Sequence, residues 1–152
     1  MLKCIFSISV AIALGFITPT YADDALIREI AKREKVSVDD VQKSLNEGCS
    51  SGNTALMNEC AKYHYIGADI QLNRTYKELL NKFKNSDSKK LLVNMQKTWI
   101  AFRDATCEYE TASWGYGTGR HAVYTSCLQT EAEARTKILN EYLKCDDGCP
   151  WD

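Results

Sequence analysis

The stretch Leu91-Leu92-Val93-Asn94-Met95-Gln96-Lys97-Thr98-Trp99-Ile100-Ala101-Phe102 decides the fold class. Leu91, Leu92, Met95, Trp99 and Phe102 form a stripe at steps of three and four residues, the period of a helix face and not the alternation of a strand. The spacing predicts a helix that reaches about Cys107 or a little beyond, with Trp99 and Phe102 in the core. Before it, Asn85-Ser86-Asp87-Ser88 is a polar break rich in N-capping residues. Further upstream, Asn53 can cap a helix whose pattern runs through Leu56, Met57, Cys60 and Tyr63. After Gly67 the same pattern continues through Ile70, Leu72, Tyr76, Leu79, Leu80 and Phe83. Downstream, Ser113-Trp114-Gly115-Tyr116-Gly117-Thr118-Gly119-Arg120 sets three alternate glycines in a row, which disfavours helix and predicts a loop. A last helical pattern follows through Tyr124, Cys127, Leu128, Ala134, Ile138, Tyr142 and Leu143, and Asp146-Asp147-Gly148-Cys149-Pro150 reads as a turn.

Two shorter helical patterns come first. Leu26, Ile27, Ile30 and Ala31 share a face; Ser37, with Asp40 three residues on, resembles a capping box ahead of Val38, Val41 and Leu45, and Gly48 ends the pattern. No segment has a strand period and none repeats. The expectation is an all-α protein: a small disulfide-stapled bundle of three main helices plus a short N-terminal helical hairpin.

Met1 to Ala22 reads as a secretory signal peptide, with Lys3 as the positive n-region and Ile5 to Ile17 as the apolar core. Thr20 and Ala22 are the small residues expected before a cut at Asp23. The apolar run is shorter than the roughly 20 residues that a membrane span needs, and Cys4 precedes it. The expected division is therefore 1–22 signal peptide, 23–48 hairpin and 49–152 main domain, in a periplasmic or secreted protein.

The chain of 152 residues carries 19 Lys+Arg against 20 Asp+Glu, which excludes a strongly basic nucleic-acid binder. Beyond Cys4, six cysteines remain: Cys49, Cys60, Cys107, Cys127, Cys145 and Cys149. An even number in an exported chain implies disulfides, for which about fifteen pairings exist. Joining sequential neighbours closes three short loops beside helix ends, so the expected pairs are Cys49–Cys60, Cys107–Cys127 and Cys145–Cys149. There is no Cys-x-x-Cys, and no histidine beside a cysteine pair in the spacing of a zinc site, so neither a metal nor a cofactor is expected.

Catalytic motifs are absent from the pattern. His64 and His121 are the only histidines and belong to no His-Glu-x-x-His; Glu108 and Glu110, like Glu131 and Glu133, point to different sides of a helix. The chain is read as a binding protein and not an enzyme. Two features stand out. Trp99, Phe102, Arg103 and Asp104 form a dense helical motif in which the charged pair can bridge or cap neighbouring helices. Trp114, Tyr116 and Arg120 are residue types favoured at binding hot spots, on a loop whose ends a Cys107–Cys127 bond would hold together.

Four stretches resemble one family. Ala68-Asp69-Ile70-Gln71-Leu72-Asn73-Arg74-Thr75-Tyr76-Lys77-Glu78-Leu79 is similar to its "A-D-x-x-L-N-x-x-Y-x-x-L" helix, and Gln96 to Cys107 to its "Q-x-x-W-I-x-F-R-D-A-x-C" signature. Tyr124 and Cys127, then Thr130 and Arg135, resemble in residue order its closing "C-x-x-x-T-x-x-R" helix, here spaced Cys-x-x-Thr-x-x-x-x-Arg, while Cys49, Met57 and Cys60 fit its opening cysteine pair. The family is the LprI-type lysozyme-inhibitor domain, and the resemblance covers about Cys49 to Leu143. It implies a small exported helical protein that binds a protein partner, a lysozyme or related peptidoglycan hydrolase, and covers or plugs its cleft. It implies no catalytic residues. A periplasmic immunity protein against one delivered toxin and a non-inhibitory envelope module remain open beside it. A net charge of −1, or about −2 without Lys3, offers a cationic lysozyme little long-range steering.

Overall fold

The computed structural model describes residues 21–84 and 86–149. Almost all of the expected signal peptide lies outside the described residues. Five α-helices follow one another: α1 (Tyr21–Glu34), α2 (Val38–Glu47), α3 (Thr54–Lys82), α4 (Ser86–Thr111) and α5 (Arg120–Leu143). Single 3-10 turns at Gly48–Ser50 and Ala112–Trp114 extend α2 and α4. No strand occurs among the described residues. The architecture is the all-α, disulfide-stapled bundle that the helical spacing predicts.

Local chemistry sets the helix ends. Ser37 Oγ accepts from Asp40 N at 3.0 Å, capping α2, and donates to the Asp40 carboxylate at 2.7 Å. Asn53 Oδ1 accepts from Ala55 N and Leu56 N at 2.9 and 3.3 Å, capping α3. Helix α1 ends on Lys35 at φ 59°, a left-handed residue. Val36 N then donates back to Ala31 O at 3.1 Å, the six-residue bond that such a terminus uses.

Helix α3, 29 residues long, organises the rest because it is apolar on two sides. Tyr63, Ile66 and Ile70 join Ile30, Ala31 and Val41 of the hairpin in one core cluster. Leu72 and Leu79 join Leu92 of α4 and Ala132 and Leu139 of α5 in a second. The most extensive contact in the molecule is α3 against α5, and α4 lies chiefly on α5. The hairpin is also tied to α3 by charge: Arg33–Asp69 at 2.7 Å, Lys62–Glu34 at 2.6 Å and Arg74–Glu29. These pairs are partly exposed and each contributes little; burial of the apolar faces holds the hairpin down.

All three expected disulfides form, with Cα–Cα distances of 5.4, 5.6 and 5.8 Å. Cys49–Cys60 draws the turn after α2 onto α3. That approach requires Gly48, where an added Cβ would stand 3.0 Å from Leu56 O and 3.2 Å from Cys60 Cβ. Cys107–Cys127 ties α4 to α5, and Cys145–Cys149 closes the tail beyond α5.

One core expectation is corrected. Phe102 is 61% exposed. The buried line on α4 runs through Leu92, Gln96 and Cys107, with Trp99 packed against the same core. Phe102 lies on an exposed side of the same helix.

Candidate docking site

The glycine-rich loop is a chain of tight turns between α4 and α5. Gly115 N donates to Ala112 O at 3.2 Å, Gly117 N to Trp114 O at 3.1 Å, and Arg120 N to Gly117 O at 3.0 Å. Gly115 sits at φ 54°, in the left-handed region where a side chain is strained. The Trp114 ring lies over Gly119, 3.6 Å from where a Cβ would be, an ordinary van der Waals contact. Trp114 remains half exposed, and Tyr116 at the apex is fully exposed.

Three clamps hold the loop's base. The first is Cys107–Cys127, with Cys107 fully buried. The second is Arg120 on Glu108, 2.6 Å, bridging the two helices. The third is Asn58 of α3, which donates from Nδ2 to Thr118 O at 3.0 Å and accepts at Oδ1 from Ala122 N at 2.9 Å. Gly119, the residue before α5, has no side chain with which to cap the helix. Asn58 supplies that cap from another helix.

Of the three residues expected to bind, the structure brings Tyr116 and Arg120 to one open cavity of about 360 Å³, also lined by Glu108, Gly117, Thr118, His121 and Tyr124. Trp114 flanks the loop from the side of Gly119. Arg120 is engaged by Glu108 and does not project freely as a plug. Burial, and then the nearby carboxylates of Asp104 and Glu108, raise the Tyr124 phenol above its ordinary pKa. The cavity thus sets a phenol beside an ion pair, a surface suited to polar contacts.

The dense motif on α4 builds something different. Arg103 and Arg135 flank the Trp99 ring, with guanidinium carbons 5.2 and 5.5 Å from its centre. Arg103 donates twice to Asp104 Oδ1, at 2.8 and 2.6 Å, and Arg135 Nε donates to Gln96 Oε1 at 3.0 Å. Arg135 is only 6% exposed, and its Nη2 has no hydrogen-bond partner among the described residues. Burial pulls the Arg135 pKa below its ordinary value, with Tyr142 opposing. Gln96, Trp99 and Arg135 therefore lock α4 to α5.

Two residues escape the sequence reading. Asn58 carries no local signal, because its partners lie 60 and 64 positions away. His64 does stand beside a cysteine pair, contrary to expectation: one helical turn beyond Cys60, it shares a 4.8 Å cluster with both cysteines. With the two sulfurs joined, neither is a thiolate able to bind an ion.

The protein-family model described as lysozyme inhibitor LprI matches residues 46–139. An uncharacterized protein of Rhizobium meliloti (strain 1021) is 26% identical over 100 residues, 58% of this chain and 72% of that protein. No solved structure matches. The family match spans α3, α4, the clamped loop and most of α5, including Asn58, Gln96, Trp99, Arg135 and two of the three disulfides. The chain belongs to the LprI lysozyme inhibitor family.

Proposed function

We propose that this protein inhibits a lysozyme or related peptidoglycan hydrolase by presenting the 113–120 loop to the enzyme's cleft. The observation that carries the reading is Tyr116, fully exposed at the apex of a loop clamped by a disulfide, an ion pair and Asn58. A loop already held in shape loses little entropy on docking. An aromatic side chain with a hydroxyl at its tip can enter a sugar-binding cleft and hydrogen-bond at its far end. Trp114 supplies a second aromatic contact at the flank. The chain is exported, with cleavage before Asp23, and works in the periplasm or outside the cell. The three disulfides and the family support that setting, and no helix among the described residues is long and apolar enough to cross a membrane.

A cell-wall clearing assay tests this. The oxidised protein is titrated against several classes of lysozyme, with mass spectrometry confirming three disulfides. Loss of clearing at near-stoichiometric protein is expected for at least one class. Undiminished clearing by every class, with disulfides intact, overturns the inhibitory reading.

A further inference from the structure

A second cavity, of about 350 Å³, opens between α2, the turn at Gly48–Ser50 and the start of α3. Val36 and Leu56 give it apolar walls. Three carboxylates stand on it: Asp40 and Glu47 from α2, both exposed, and Glu59 from α3, half-buried. Lys43 lines it too, but pairs with none of the three among the described residues. Negative charge is thus concentrated here in a chain whose net charge is only −1.

Ser44, also in the lining, is an independent observation. It is 5% exposed, and its Oγ has no hydrogen-bond partner among the described residues. A buried hydroxyl in a helix ordinarily turns back to the carbonyl four residues earlier. Thr111, Thr125, Thr130 and Thr136 all do so, at 2.7, 2.9, 3.0 and 2.8 Å. Ser44 does not, and an unsatisfied buried oxygen is costly. The lining therefore offers acceptors on three sides and lacks a donor. A compact metal ion does not fit, because the carboxylates do not converge: among the described residues the one cluster tight enough for an ion is Cys49, Cys60 and His64. The apolar walls favour a cation carried on an alkyl stem, which packs its methylenes while its head finds the acids.

We infer that this cavity receives a lysine or arginine side chain of the protein partner. The partner's being a protein that covers the 113–120 loop rests on the reading above. Placement supports it. Asn58 and Glu59 are consecutive on α3, about 100° apart around the helix; Asn58 holds the loop at Thr118 O, and Glu59 faces the cavity. A partner seated on the loop's base has the cavity beside it.

Titration of the oxidised protein with N-acetyl-lysine methylamide and N-acetyl-arginine methylamide, to about 50 mM and followed by amide NMR shifts, reads the cavity alone. N-acetyl-norleucine methylamide is the uncharged control. Saturable shifts at 44–48 and Glu59 are expected with a cationic probe, absent with norleucine and lost in Glu47→Gln, whose side chain makes no cap hydrogen bond. Ser44→Ala should weaken the shifts without lowering the melting temperature. Against a lysozyme that the parent inhibits, Glu47→Gln should raise the inhibition constant about tenfold, and the gap should narrow at about 0.5 M salt. No saturable shift with either cation, or equal shifts with norleucine, overturns the inference. So does an inhibition constant unchanged in both variants. The probe titration needs no hydrolase: shifts without inhibition of any lysozyme strike the inhibitory reading, whereas inhibition without shifts strikes this inference alone.

Discussion

Asn58, in the second turn of α3, caps the first turn of α5 through Ala122 N, 2.9 Å away and 64 residues along the chain. The same amide holds Thr118 O, inside the loop. One side chain therefore joins the longest helix, the helix start and the proposed docking loop. Replacing it with alanine removes a cap and leaves Thr118 O and Ala122 N to water. Asn58→Ala is expected to cost about 1–2 kcal/mol of stability. Hydrogen exchange should rise at 118–122 before it rises elsewhere. Inhibition should weaken too, because the loop is ordered only on binding. Unchanged exchange in that segment would show that the cap is dispensable.

The Cys107–Cys127 bond spans a separation of 20 residues. In the chain-entropy model a loop of that length contributes roughly 3 kcal/mol. The double variant Cys107→Ser/Cys127→Ser should lose about that much in denaturant unfolding. It should also lose more inhibition than Cys145→Ser/Cys149→Ser, whose bond lies at the far end of α5. Equal losses from the two pairs would mean that the loop needs no staple.

Gln96 gives the buried Arg135 guanidinium its hydrogen-bond acceptor. Gln96→Leu leaves that charge with the Trp99 ring alone and is expected to destabilise by about 2–3 kcal/mol. At temperatures where the variant is folded, inhibition per molecule should match the parent. A selective loss of inhibition with full stability would move this cluster from scaffold to docking surface.

Tyr63 is buried, donates its hydroxyl to Glu59 at 3.2 Å and has its pKa pushed up to about 12, first by burial and then by Glu59. The phenol is neutral in the fold while an unfolded tyrosine ionises near 10. The folded state therefore holds the proton longer, and stability is full below pH 10 and falls as pH rises through 12. Tyr65, Tyr76 and Tyr124 are shifted the same way by burial and add to the fall. Urea titrations from pH 7 to 12 should show a plateau and then a decline. In Tyr63→Phe the decline should be shallower by roughly 2 kcal/mol. A decline of the same depth would place the titrating group elsewhere.

What was legible in the sequence was what depends on near neighbours. Ser37 and Asn53 act within three residues, so their caps could be read directly. The disulfides join sequential cysteines beside helix ends, and the helical period of Leu91 to Phe102 names the element. The period does not say which side of a helix is covered, so Phe102 reads as core and is surface. Arg120 reads only as a hot-spot residue type because Glu108, its partner, becomes a neighbour only once the loop has turned the chain back. Asn58 is silent for the same reason over a longer span. At the candidate site, then, residue types were legible and their partners were not.

The most direct measurement of the central claim is the inhibition constant of Trp114→Ala/Tyr116→Ala beside the parent, against whichever lysozyme the parent inhibits. Both side chains are at least half exposed, so circular dichroism and disulfide content should be unchanged. Removing two aromatic anchors is expected to raise the constant by about a hundredfold, as for hot-spot residues. An unchanged constant with intact structure would contradict the account and place the docking surface elsewhere on the bundle.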